Sequence, residues 1–180
     1  MRKRRRALAA HEQSGHARAT CRHLFSSAVV LRGCVAAYSA TDGELNLWPF
    51  IARHPRIALP VIESRHRMTF RRYRLGDPLR RNRFGIAEPV LGRGVPAIAL
   101  SVVLMPLVAF TADGWRIGMG GGFYDRHFAG AQRPLMVGVA HEFQLLRDVP
   151  HRDWDVPMDA AVTELGWRYF TRRGAALRLY

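Results

Sequence analysis

Arg116-Ile-Gly-Met-Gly-Gly-Gly-Phe-Tyr-Asp-Arg126 (RIGMGGGFYDR) places glycine at 118, 120, 121 and 122. Glycine has no Cβ, so a run of this kind lets backbone N–H groups turn inward and approach a bulky anion. Arg116 and Arg126 bracket the run and supply charged donors of the sort that pair with phosphate oxygens. Asp125 follows directly, and a carboxylate beside a phosphate cradle has its usual reason in a bridging Mg2+. Two common cradles are excluded. No Lys-Ser or Lys-Thr pair follows the glycines, as the Walker pattern demands, and the pattern GxGxxG begins at Gly118 but meets Phe123 where its last glycine belongs.

Working outward, Asp113-Gly114 is a hairpin signal just ahead of the loop. Before it, Ile98 to Met105 is a continuous apolar run, as in a strand covered on both faces, and Leu107 to Phe110 continues it after Pro106. After the loop, the sequence predicts a helix over Tyr124 to Phe128, a buried strand over Leu135 to Ala140 and a last short strand over Ala160 to Thr163. Toward the N-terminus, Leu8, Gln13, Ala17, Leu24, Ala28 and Leu31 fall at loosely helical spacing, predicting a helix over the first thirty residues closed by Gly33. Val35 to Tyr38 reads as a strand, Thr41-Asp42-Gly43 as a turn and Leu45 to Arg53 as a helix. Ile57 to Val61 reads as a strand, and Met68 to Arg74 as an exposed strand with Met68 and Phe70 on one face. Gly76-Asp77-Pro78 is a turn, and Phe84 to Pro89 a loop. Strands alternating with helices predict a Rossmann-like α/β three-layer sandwich around a mostly parallel sheet, with residues 1–180 as a single domain.

Composition narrows the function. The 180 residues carry a net charge of +14, nearly all from arginine, with Lys3 the only lysine. The arginines are scattered along the chain without the interleaved aromatics of an RNA-binding surface, so no nucleic-acid partner is expected. A basic surface also suits a small polyanionic substrate. Its one tight local cluster is Arg2 to Arg6, and Arg71, Arg72, Arg74, Arg80, Arg81 and Arg83 form a looser second one. No apolar run approaches the ~20 residues of a spanning helix, and the basic start is followed by no signal-peptide core, so no membrane partner and a cytoplasmic location are expected. Cys21 and Cys34 lack metal-ligand spacing and read as small buried or half-buried hydrophobes. His141 and His151 read as ordinary surface or loop histidines.

The order apolar strand, P-x-x-x-F, D-x-x-G, R-x-G-x-G-x-G-[FY]-Y-D-R resembles the core of the 5-formyltetrahydrofolate cyclo-ligases. It is present here as Pro106, Phe110, Asp113-Gly114 and Arg116 to Arg126. Ala37 to Leu45 (AYSATDGEL), Pro60 followed by Met68-Thr-Phe, Phe84-Gly-Ile-Ala-Glu-Pro, Val137 to Gln144 (VGVAHEFQ), Asp153-Trp-Asp, Met158-Asp159 and Val162-Thr-Glu are similar to further family segments in the same order. The likeness spans about residues 6 to 164, leaving 165–180 as a tail of unknown role.

The resemblance implies a reaction. ATP phosphorylates the formyl oxygen of 5-formyltetrahydrofolate, nitrogen 10 attacks the activated carbon, phosphate leaves and 5,10-methenyltetrahydrofolate forms. Such chemistry needs positioning and charge neutralisation more than a protein nucleophile. The resemblance assigns ATP to Arg116, Ile117, Gly118, Met119, Gly120, Gly121, Gly122, Phe123 and Tyr124. It makes Arg116 and Asp125 catalytic, gives Mg2+ to Asp125 with Asp153 or Asp155, and gives the folate to Glu44, Met68, Phe84 and Tyr124. Glu44 would accept hydrogen bonds from the pterin, and the other three would wall flat rings. The expected partner is a reduced folate, polyglutamylated, bound by a monomer or weak dimer. The family has a K-x-x-x-R stretch reaching ATP one or two helical turns before the segment matching Arg5-Arg6-Ala7-Leu8. Here either Arg2, Lys3 or Arg4 substitutes, with Arg4 assigned, or Met1 lies inside a longer chain. The second reading is a nucleotide- or folate-binding relative that lost activity with that contact.

Overall fold

The computed structural model describes residues 1–130 and 132–178. The predicted first helix is three: α1 (Arg2–Ala7), α2 (Ala10–Phe25) and α3 (Ala28–Arg32). Leu8 and Ala9 are extended, and the Glu12 carboxylate reaches back to the Ala9 N–H at 2.9 Å, starting a fresh helix. Ser26 Oγ donates to the His23 carbonyl, so the next break falls where a serine competes for helix backbone.

The main sheet has seven strands: β1 (Val35–Ala36), β2 (Ile57–Ile62), β3 (Met68–Tyr73), β6 (Val102–Pro106), β9 (Leu135–Val139), β10 (Ala160–Thr163) and β11 (Gly166–Tyr169). Their order is β11-β10-β9-β6-β1-β2-β3. The inner five strands are parallel, and the two edges, β3 on β2 and β11 on β10, are antiparallel. The mostly parallel α/β sheet is as expected from the sequence, and the tail supplies one of its edges.

The inner strands are buried on both faces. Val35, Ile57, Leu59, Val102, Leu104, Val137 and Val139 pack with Ala17, Cys21 and Leu24 of α2 on one side. Ala36, Ala58, Val103, Met105, Met136 and Ala161 pack with Phe110, Phe128, Val156 and Met158 on the other. This alternation of two apolar sets is why the strands read as continuous hydrophobic runs. Cys21 is buried and Cys34 half-buried, both free, as expected. Leu24 is fully buried in the helix–sheet contact, so Leu24→Ala should lower stability by about 2–5 kcal/mol, read by chemical denaturation with an unchanged m-value.

Four local readings are corrected. The helix expected over Leu45 to Arg53 shrinks to α4 (Trp48–Ile51), because the Tyr38 hydroxyl takes the Leu45 carbonyl at 2.8 Å and the Asn46 side chain caps the Trp48 N–H. The run from Ile98 begins as a 3-10 turn, and Ile98 is exposed. Leu107 leaves the sheet: β7 (Ala109–Phe110) pairs with β8 (Arg116–Ile117) in the hairpin signalled by Asp113-Gly114. The loop expected at Phe84 to Pro89 is half of another hairpin, β4 (Leu79–Arg81) with β5 (Ala87–Pro89). Asn82 turns it by accepting from the N–H groups of Phe84 and Ile86, with Gly85 at φ +75°.

The order of the strands positions the site. From β1 the chain moves to one side for β2 and β3, then crosses back to β6 on the other side. The parallel sheet therefore switches direction between β1 and β6, and ligand crevices form outside the strand C-termini at such a point.

Candidate functional site

A cleft of about 580 Å3 opens there. Tyr38, Ser39, Thr41, Asp42 and Glu44 enter it from the end of β1, Pro60 and Ile62 from β2, and Pro106 from β6. The crossover from β6 to β9 adds Arg116, Gly118, Met119, Gly121, Gly122, Phe123, Tyr124 and Asp125, and the β4–β5 hairpin adds Phe84, Ile86 and Glu88. Met68 of β3 and Arg2 of α1 complete the lining, so residues from seven separate segments share one volume, among them all four expected folate contacts, Glu44, Met68, Phe84 and Tyr124.

The glycine loop runs from β8 to α5 (Phe123–His127). Gly120 and Gly122 have φ of +84° and +57°, and a Cβ on Gly121 would come within 2.8 Å of the Phe123 ring. Gly118, Gly120 and Gly121 are exposed. Arg126 does not line the cleft; it braces the loop, its Nη2 donating to the Gly121 carbonyl at 2.5 Å and its Nε to the His66 carbonyl at 3.2 Å. Ile117 and Gly120 also stand outside the lining, and Ile117 gives its carbonyl to Val108 N–H in the hairpin.

Arg116 and Asp125 form a nearly buried ion pair, Nη2 to Oδ1 at 2.6 Å. A second Arg116 donor goes to the Val156 carbonyl, and the Val156 N–H returns to Asp125 Oδ1 at 3.1 Å. Among the described residues Asp125 Oδ2 accepts no protein hydrogen bond. No metal-ligand cluster among the described residues joins Asp125 to Asp153 and Asp155, the carboxylates expected to help it. Asp153 is exposed, Asp155 closes its own turn on the Arg152 N–H at 2.9 Å, and neither lines the cleft.

Arg4, expected at ATP, lies elsewhere: its guanidinium sits 4.2 Å over the Phe143 ring. Arg2 lines the cleft instead. Helix geometry is the reason. Positions 2, 5 and 6 of α1 share a face, and all three arginines pair with Asp42, Arg2 Nε at 2.7 Å and Arg5 Nη2 at 2.9 Å. That i, i+3, i+4 spacing groups the three along the chain, but only the fold shows that their face meets Asp42.

Burial dominates the electrostatics. Glu44 is pushed above the usual carboxylate range by desolvation, partly offset by the Thr41 N–H that it accepts at 2.9 Å. Tyr124 is also raised, by burial and then by the charge of Glu44. Glu88, a residue to which the sequence assigned no role, locks the hairpin onto the sheet. Its Oε1 accepts from the Ile62 N–H at 2.9 Å and from Asn82 Nδ2 at 2.6 Å.

The two histidines differ. His151 is exposed and stacks on Trp115, as a loop histidine would. His141 is fully buried, not the surface residue expected; it faces His16 and Glu164.

Residues 1–164 match the model of the 5-formyltetrahydrofolate cyclo-ligase family. The chain is 40% identical over 175 residues to the 5-formyltetrahydrofolate cyclo-ligase of Escherichia coli K12, covering 91% of this chain and 96% of that one. It is 37% identical over 134 residues to the Haemophilus influenzae enzyme of the same name, covering 69% and 72%. The fold superposes on the 5,10-methenyltetrahydrofolate synthetase of Aquifex aeolicus with a TM-score of 0.81 at 31% identity, over 94% of this chain and 88% of that one. The chain therefore belongs to the 5-formyltetrahydrofolate cyclo-ligase family.

Proposed function

We propose that this chain is an ATP-dependent ligase that cyclises 5-formyltetrahydrofolate to 5,10-methenyltetrahydrofolate with release of ADP and phosphate. One observation carries the reading. The glycine loop and the four residues expected at the folate line a single cleft, so a nucleotide phosphate and a formyl oxygen can meet there. Gly118 to Tyr124 hold the phosphates, Arg116 neutralises charge developing on them, and Arg2 stands where the family's N-terminal basic residue is needed. Met68, Phe84 and Tyr124 wall the pterin, and Glu44 accepts its N–H groups.

Asp125 suits Mg2+ as a single protein ligand. One oxygen is held in place by Arg116 and Val156, leaving the other for the ion, whose shell is commonly completed by phosphates and water. When bound, Mg2+ would withdraw charge from the transferred phosphoryl group. Arg80, Arg81 and Arg83 flank Phe84 on the hairpin at the cleft, which favours a polyglutamylated folate. Residues 1–180 form one cytoplasmic cyclo-ligase domain in this reading; among the described residues no helix is long and apolar enough to cross a membrane. The test is the growth of methenyltetrahydrofolate absorbance with 5-formyltetrahydrofolate, ATP and Mg2+. Nucleotide binding with no absorbance change would favour the inactive relative instead.

Glu44→Gln separates binding from chemistry. Losing a charge-assisted hydrogen bond worth about 1.5–3 kcal/mol should raise KM for the folate by about 10- to 100-fold with kcat little changed. The raised pKa of Glu44 means that its ionised form costs stability at neutral pH, a cost relieved as pH falls through that value. The variant should therefore melt no lower than the parent at pH 7. Steady-state kinetics and a thermal melt read both effects.

A further inference from the structure

Outside the cleft lining, three side chains converge from three elements. His16 lies on α2, His141 follows β9 and Glu164 follows β10, and their ligand atoms all fall within 4.8 Å of one another. His16 Nδ1 is 3.0 Å from His141 Nδ1 and 3.6 Å from Glu164 Oε1. A tetrahedral zinc with Zn–N bonds of about 2.0–2.1 Å sets its ligand atoms about 3.3 Å apart, which these spacings bracket.

Each of the two innermost groups is held from outside. His141 Nε2 lies 3.2 Å from the Gly43 carbonyl, which can only accept, so Nε2 carries the proton and Nδ1 presents its lone pair. Glu164 Oε2 accepts the Glu142 N–H at 2.9 Å, leaving Oε1 toward the histidines. Outer partners of this kind fix tautomer and direction at metal centres. His16 is 27% exposed, which leaves an entry path and room for a water as fourth ligand.

We propose that His16, His141 and Glu164 form a binding site for a late first-row divalent ion such as Zn2+, separate from the Mg2+ that accompanies ATP. Two imidazoles and one carboxylate favour such an ion over Mg2+, whose shell is all oxygen. The ion would fasten α2 to the ends of β9 and β10. Through the Gly43 carbonyl on His141 it would also brace the turn that precedes Glu44. Without metal, a His16 Nδ1–H donated to His141 Nδ1 fills the same gap.

The full chain, stripped with chelator, is titrated with Zn2+ against a chromophoric competitor. One equivalent should bind with Kd of ~10 μM or tighter and raise the melting temperature, and Co2+ in its place should show tetrahedral visible bands. His16→Ala should weaken binding at least tenfold. Glu164→Gln, which keeps an oxygen for the Glu142 N–H, tests the carboxylate even where the alanine variant folds poorly, and should weaken binding about 10-fold. Absence of binding by the parent chain, or parental affinity in both variants, overturns the proposal.

Discussion

Asp125→Asn is expected to lower turnover by about two to three powers of ten, the scale seen when one charge-stabilising contact is removed from a reacting site. Two effects act together. The amide presents no negative charge to a metal on the nucleotide, and it loosens Arg116, whose guanidinium is held 2.6 Å from the carboxylate inside the cleft. The fold should persist. The amide oxygen can still accept from Arg116 and the Val156 N–H, so the stability loss stays near 1–3 kcal/mol. Asp153→Asn is the matching control. Asp153 is exposed and outside the cleft, so its turnover should remain within about twofold of the parent. Full activity in Asp125→Asn would remove Asp125 from the mechanism, and an equal loss in Asp153→Asn would return that carboxylate to the metal site.

The largest stability effect is expected at Arg5. It is an arginine only 1% exposed, with Nη1 donating to the Leu107 carbonyl at 2.8 Å and Nη2 to Asp42 at 2.9 Å. Its backbone carbonyl accepts from Gln13, so α1, α2, the Asp42 turn and the end of β6 are joined at one residue. Among the described residues its Nε finds no partner, so two donors carry the anchoring. Arg5→Ala removes a buried partner and leaves a gap, which should cost about 3–5 kcal/mol. For a chain of this size that lowers the melting temperature by about 6–20 °C. Asp42 is held below its usual value, first by Arg2 and then by Arg5, so its share of stability is present above its ordinary pKa of 3.8 and lost as pH falls through the lower folded value. The melting difference between parent and variant should therefore narrow in acid. Equal melting temperatures at pH 7 would show that Arg5 is not an anchor.

Much of the site was legible in advance because its pieces are local. Four glycines with an arginine before and an aspartate after define a cradle within eleven residues, and no distant contact is needed to see it. The continuous apolar runs at Val102–Pro106 and Leu135–Val139 announce strands covered on both faces. Phe84, expected at the folate by likeness, lines the cleft, but its segment read as a loop. The hairpin that carries it depends on Asn82 turning the chain and on Glu88 gripping β2, and neither leaves a hydrophobic period to detect.

The sequence alone determined the α/β class, the family and the glycine-rich loop, and it named four residues, Glu44, Met68, Phe84 and Tyr124, that line one cleft. These rest on short-range pattern: alternation, helical spacing, glycine runs and motifs in order. Tertiary structure alone decided which N-terminal arginine reaches the cleft and that Asp125 stands without Asp153 and Asp155. It also turned the C-terminal tail into an edge strand and buried His141 against His16. Each of those outcomes hangs on partners far apart in the chain, 102 residues for Arg5 and Leu107 and 125 for His16 and His141. A side chain's neighbours within one or two turns carry no record of such a partner, so only the folded sheet, by bringing strand ends together, could assign them.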